Sequence, residues 1–193
     1  MSRTLRADAE RSMRSILEAA ERVLSVQPNA SLEQIAEAAG VARTTVHRRF
    51  ANRQALVDAL ALAAAAQLRD AVDAARPDTA PPLVALHQAT ANVLRTKRHW
   101  RFALELADTP GSAAFAHQRA LAQRCVDLLG RARDQGLLRP DADLEWTRRV
   151  LYALIGESTH GHTFSDAQES QPDPDTLAGR IIDTLIHGAG PRR

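Results

Sequence analysis

Apolar residues recur along this chain at three- and four-residue intervals, the period of helices buried on one side. Over residues 9–26 the apolar side is Ile16, Leu17, Ala20, Val23 and Leu24, and Pro28-Asn29 breaks the run. Residues 1–8 are polar and read as a tail. Ser31 opens a short second helix, with Gln34 three residues on to complete a capping box. Ile35, Ala36 and Ala39 form its inner side, and Gly40 ends it, because a left-handed backbone is cheap only for glycine. A third helix spans about 43–49, with Ala42, Val46 and Phe50 turned toward the core and Arg43, Thr44, His47 and Arg48 on the opposite side. Asn52 is a natural cap for a long fourth helix over about 53–75, where Leu56, Leu60, Ala64, Leu68 and Val72 line up.

The proline-rich segment RPDTAPP at 76–82 interrupts the pattern. A fifth helix covers about 82–96, a sixth about 98–107, stopped by Thr109-Pro110-Gly111, and a seventh about 112–135, ended by Gly136. An eighth, about 141–160, starts after Pro140 with Asp141 or Asp143 as cap. It contains VLYALIG at 150–156, apolar nearly all round, which requires burial on more than one side. Residues 161–174 read as a loop, and a ninth helix covers about 174–188. No strand or internal repeat is expected, so the fold class is all-α with about nine helices.

Composition narrows the reading. The 193 residues are 45% hydrophobic and only 4% aromatic, rich in alanine, a mix that favours helix over sheet. A single cysteine, Cys125, excludes an internal disulfide and fits a reducing cytoplasm. No signal-peptide pattern and no apolar run of about 18 residues is present, so a cytoplasmic protein with no membrane partner is expected. Net charge is only +2, but residues 1–56 hold nine arginines against six acids, which puts the positive excess at the N-terminal end.

That end carries the candidate chemistry. Two short helices joined by a glycine turn form a helix-turn-helix, a device that lays its second helix in the DNA major groove. Arg43 and Arg48 can fork onto guanine, Thr44 and Thr45 can meet a thymine methyl or a phosphate, and His47 can donate to a phosphate. Ser31 at the first cap and Arg53 at the start of the fourth helix complete the expected DNA-binding set, Arg53 beside free N–H groups that suit a phosphate. An ordinary helical hairpin explains the fold but not Arg, Thr and His clustered on one face.

The segment SLEQIAEAAGVARTTVHRRFANRQAL (31–56) resembles the DNA-binding domain of TetR-like transcriptional regulators. The resemblance rests on Ile35, Ala36, Ala39, Gly40, Val41, Thr45, Val46, Phe50, Arg53, Ala55 and Leu56, with SILEAAERVL at 15–24 similar to the family's first helix. It covers roughly the first third of the chain; the remainder agrees in length and helical layout. Two positions depart from the pattern. His47 stands where the family usually has tyrosine, keeping a donor but shortening its reach, and Ala42 stands where it often has serine, losing a hydroxyl.

The resemblance implies a helix-turn-helix DNA-binding domain over 1–56 and a helical ligand-binding and dimerisation domain over 57–193. One helix-turn-helix makes too few base contacts for a specific site, and two at fixed spacing solve this on a near-palindromic, double-stranded operator. The apolar surface of the last two helices exceeds what one core needs, and the resemblance likewise implies a homodimer through them, at Leu151, Leu154, Ile155, Leu177, Ile181 and Leu185. It also implies an effector pocket among the fifth to eighth helices, with His87, Trp100, Leu104, Phe115, Cys125 and Tyr152 as candidate walls. No basic cluster stands out there, so the expected effector is apolar or aromatic.

The expected function is a dimeric repressor released from its operator by a small molecule. The competing reading is a helical small-molecule-binding protein or enzyme with a secondary DNA tether. Against an enzyme stands the lack of any glycine-rich phosphate loop, nucleophile elbow or other catalytic constellation, and no cofactor is expected. His160-Gly161-His162 does not read as a metal site, because residues two apart do not share a helical face and no third ligand lies at a familiar spacing. Cys125 reads as inert core, and Asp173 and Asp175 as turn and cap residues around Pro174.

Overall fold

The computed structural model describes residues 2–107, 111–159 and 172–188, with side chains described from residue 10 onward. Among the described residues the elements are nine helices and no strand: α1 (Ser2–Val26), α2 (Leu32–Ala38), α3 (Arg43–Arg49), α4 (Arg53–Asp73), α5 (Pro82–His99), α6 (Arg101–Ala107), α7 (Ala113–Asp134), α8 (Leu144–Thr159) and α9 (Pro174–His187). The apolar period thus placed every helix, and the differences lie at the ends. α1 begins at Ser2 where residues 1–8 were expected to form a tail; no glycine or proline interrupts that stretch. Asp143, rather than Asp141, caps α8 by accepting the Trp146 N–H at 3.0 Å. Asp173 caps α9 through the N–H groups of Asp175 and Thr176, with Pro174 in the first turn. The expected stop at Thr109-Pro110 and the pair His160 and His162 lie outside the described residues. No helix of the described residues is long and apolar enough to cross a membrane.

The chain packs as two compact units, Met1–Ala66 with His99–Ala116, and Gln67–Arg98 with His117–Arg193. This division does not follow a single cut at 56/57, because α4 contributes to both units and 99–116 returns to the first. In the first unit Ile16, Ala20 and Leu24 of α1, Ile35 and Ala36 of α2, Val46 of α3, and Leu56 and Leu60 of α4 are fully buried. Small side chains allow close approach, and Ala61 and Ala65 of α4 meet Ala107 and Ala114 in a second apolar cluster. Glu21 explains why α6 belongs here. It is buried on α1, and its two carboxylate oxygens accept the N–H groups of Phe102 and Ala103 at 2.8 and 2.9 Å, satisfying donors that the start of α6 would otherwise leave open.

In the second unit Leu86, Leu94, Leu128, Leu129, Leu151, Ile155, Ile181 and Ile182 form one core built from α5, α7, α8 and α9. Arginines tie loops to this body. Arg131 donates to the carbonyls of Pro77 and Ala80, and Arg124 pairs with Asp73 and Asp78, fastening the proline-rich break onto α7. Arg95 pairs with Asp175 at the start of α9.

Candidate nucleic-acid interface

The helix-turn-helix is assembled by local bonds that the sequence specifies. Ser31 Oγ accepts the Gln34 N–H at 3.3 Å and the Ser31 N–H donates to Gln34 Oε1 at 2.8 Å, a complete capping box. Gly40 takes φ 67°, and a Cβ built there would meet nothing within 4 Å, so backbone geometry alone demands glycine. The Val41 N–H donates back to Ala36 O at 3.1 Å, closing the turn that aims α3. Asn52 caps α4 through the Ala55 N–H at 2.9 Å.

α3 is anchored by Val46 and by Phe50 at its end, both buried. Arg43, Thr44, His47 and Arg48 are exposed together on the outer side, and Thr45 is half-buried. Ala42 departs from expectation. It is exposed and forms the N-cap of α3, with extended backbone and no side-chain cap bond, so Val46 and Phe50 hold the helix without it.

Two candidate DNA ligands have structural duties. The Ser31 hydroxyl is engaged in the α2 cap. The Arg53 guanidinium donates to the carbonyl of Ala30 (3.2 Å) and to that of Pro28, clamping the link between α1 and α2 onto the start of α4. A residue that the sequence reading did not single out, Glu33 on α2, joins the site. Its Oε1 lies 3.0 Å from Arg43 Nη2 and 3.0 Å from His47 Nε2. The Glu33 carboxyl is held down to about 2 by its own backbone N–H, then by bonds from His47, Ser31 and Arg43, so it is an anion throughout the neutral range. Arg43 and His47 are four residues apart and share a face; that Glu33 reaches both is set by how α2 and α3 cross, which no spacing in the sequence encodes.

The other candidate residues separate. Of the six expected pocket walls, Trp100, Leu104 and Phe115 belong to the first unit, whereas His87, Cys125 and Tyr152 belong to the second. Tyr152 is exposed on α8, with the Arg148 guanidinium 5.0 Å from its ring centre. Cys125 packs against the second core, and burial pushes its thiol up to about 12. Of the expected dimer contacts, Leu151, Ile155 and Ile181 are buried in the core of the second unit, and Leu154, Leu177 and Leu185 pack partly buried against it. Of VLYALIG, Leu151 and Ile155 are buried within the chain, whereas Tyr152 and Ala153 are exposed. The residues that α8 turns outward are Glu145, Trp146, Arg149, Tyr152, Ala153 and Glu157.

A three-helix head with a glycine-aimed, cation-bearing helix, carried by an all-helical body, defines a helix-turn-helix DNA-binding regulator. Residues 16–60 match the family described as bacterial regulatory proteins, tetR family. The chain is 35% identical, over 150 residues that make up 76% of each protein, to the HTH-type transcriptional repressor LfrR of Mycolicibacterium smegmatis. The crystal structure of LfrR in complex with proflavine superposes with a TM-score of 0.69 at 27% identity, covering 94% of this chain and 98% of that one. The TetR family regulator PfmR of Thermus thermophilus gives a TM-score of 0.76 at 17% identity, over 91% of this chain and 99% of its own, a likeness of fold. The chain belongs to the TetR family of bacterial regulatory proteins.

Proposed function

We propose that this DNA-binding regulator is a homodimeric repressor that holds a near-palindromic operator and lets go when a small apolar or aromatic molecule binds its helical body. The observation that carries the reading is the sidedness of α3: Val46 and Phe50 are buried beneath it while Arg43, Thr44, His47 and Arg48 stand exposed above. Arginine offers a planar fork for a guanine edge, and histidine and threonine offer donors for phosphate. In this reading residues 1–56 form the DNA-binding domain and 57–193 the ligand-binding and dimerisation domain, working in the cytoplasm without catalysis. The proflavine bound by the relative LfrR, a planar aromatic compound, supports the effector class.

Two subunits are needed because one recognition helix reads only a few base pairs, and a two-fold pair meets two half-sites. The second copy is taken up by α8 and α9 through the outward side of α8. Effector binding acts by favouring the arrangement in which the two recognition helices no longer match successive grooves.

The test is selection of a preferred duplex from a random pool by the purified protein, followed by screening of aromatic compounds for release. A site with inverted half-sites and loss of the complex with at least one such compound is expected. A protein that binds no duplex at low salt overturns the DNA-binding reading. Ala153→Arg, placed on the outward side of α8, should yield a folded monomer in sedimentation; an unchanged dimer moves the interface elsewhere.

A further inference from the structure

Glu33 points away from the usual requirement for a DNA-facing surface, which is positive charge. It sits on α2 with one carboxylate oxygen 3.0 Å from both Arg43 and His47, two of the donors that α3 presents. An exposed carboxylate with two donors on one oxygen reproduces what a phosphate oxygen would offer the same side chains.

We infer that Glu33 is a specificity-determining residue: an internal phosphate mimic that occupies Arg43 and His47 against arbitrary DNA while steering the Arg43 fork toward a base edge. Binding to arbitrary sequence is driven almost wholly by phosphate neutralisation. Glu33 opposes it twice, by occupying the Arg43 cation and the His47 ring nitrogen and by repelling the incoming phosphates. Binding to the correct site is affected less. Glu33 engages Arg43 through a single Nη2 hydrogen, so Nη1 with the second Nη2 hydrogen stays open as a fork for the acceptors of a base, and a held guanidinium loses less freedom on docking. The pairs are exposed, with Arg43 70% open to solvent, so DNA can displace them. The inference rests on the DNA-binding reading above.

The experiment compares wild type, Glu33→Gln and Glu37→Gln on the duplex that wild type selects and on a scrambled duplex of equal length, across a salt series. Glu37 is exposed on the same helix and its substitution removes the same charge. Glu33→Gln should bind scrambled DNA about three- to tenfold more tightly, the range that one exposed ion pair and the lost repulsion of phosphate can supply. It should gain less on the selected site and steepen the salt dependence by about one phosphate contact. In an Arg43→Ala/His47→Ala background the Glu33→Gln gain should vanish. An equal gain from Glu37→Gln, a gain that persists in that background, or unchanged or weaker binding of scrambled DNA by Glu33→Gln overturns the inference. If wild type binds no duplex at all, the parent reading falls and the inference with it; if wild type binds and Glu33→Gln is silent, only the inference falls.

Discussion

The carboxylate of Glu21, near the end of α1, receives the backbone N–H of Ala103 at 2.9 Å, in the first turn of α6, eighty-two residues away. The neighbouring N–H of Phe102 reaches the other oxygen. One buried acid thereby caps one helix from another and holds α6 within the first unit.

Replacing Glu21 by alanine leaves those two N–H groups without their acceptor in a mostly buried place. The expected loss is about 1–3 kcal/mol of unfolding free energy, the usual consequence of orphaning buried donors, measured by denaturant melts.

Glu21 also predicts a pH dependence. Burial raises its proton affinity above the ordinary 4.5 more than the Phe102 and Ala103 bonds lower it, with Glu105 adding a smaller push upward. The unfolded chain therefore releases this proton at lower pH than the folded one, and its contribution to stability falls as pH rises from about 4.5 through the folded value. The stability difference between wild type and Glu21→Gln should decline over that window. A difference that is flat or grows with pH contradicts the assignment.

Ala42 stands at the N-cap of α3 with extended backbone and no side-chain bond to the first turn. Ala42→Ser supplies an acceptor there and should raise stability by about 0.5–1.5 kcal/mol in thermal or denaturant unfolding. A neutral result would mean that the N–H groups of that turn are already satisfied.

Arg48 and Arg53 separate DNA contact from scaffolding. Arg53 bonds the carbonyls of Pro28 and Ala30, so Arg53→Ala should lower stability by about 1–2 kcal/mol with no DNA present. Arg48 is exposed on α3, so Arg48→Ala should leave stability within about 0.5 kcal/mol and reduce the salt dependence of DNA binding by about one contact. The opposite pattern would exchange their roles.

Cys125 should resist chemistry. With its thiol pushed up to about 12 by burial, thiolate is scarce at neutral pH, and a disulfide reagent should label the folded protein far more slowly than the denatured one. Rapid labelling of the native state would show an accessible, activated thiol.

The order and approximate extent of the nine helices among the described residues follow from the chain's apolar period, because burying one stripe per helix is a local rule that each segment obeys by itself. The same holds for the caps at Ser31, Asn52 and Asp173 and the left-handed turn at Gly40, where a side chain or its absence acts on backbone a few residues away. The exposed face of α3 was legible for the same reason: three or four residues fix which way a helical side chain points. What needed tertiary structure is everything that depends on which stripe meets which. Leu151, Ile155 and Ile181 look as suited to a partner subunit as to a core, and only the packing of α5, α7, α8 and α9 shows them within a core of this chain. Arg53 reads as a phosphate ligand until the α1–α2 link is seen to come within its reach. Glu21 and Glu33 carry no local signal at all, because their partners lie on other helices, and charge finds its counterpart through space rather than along the chain.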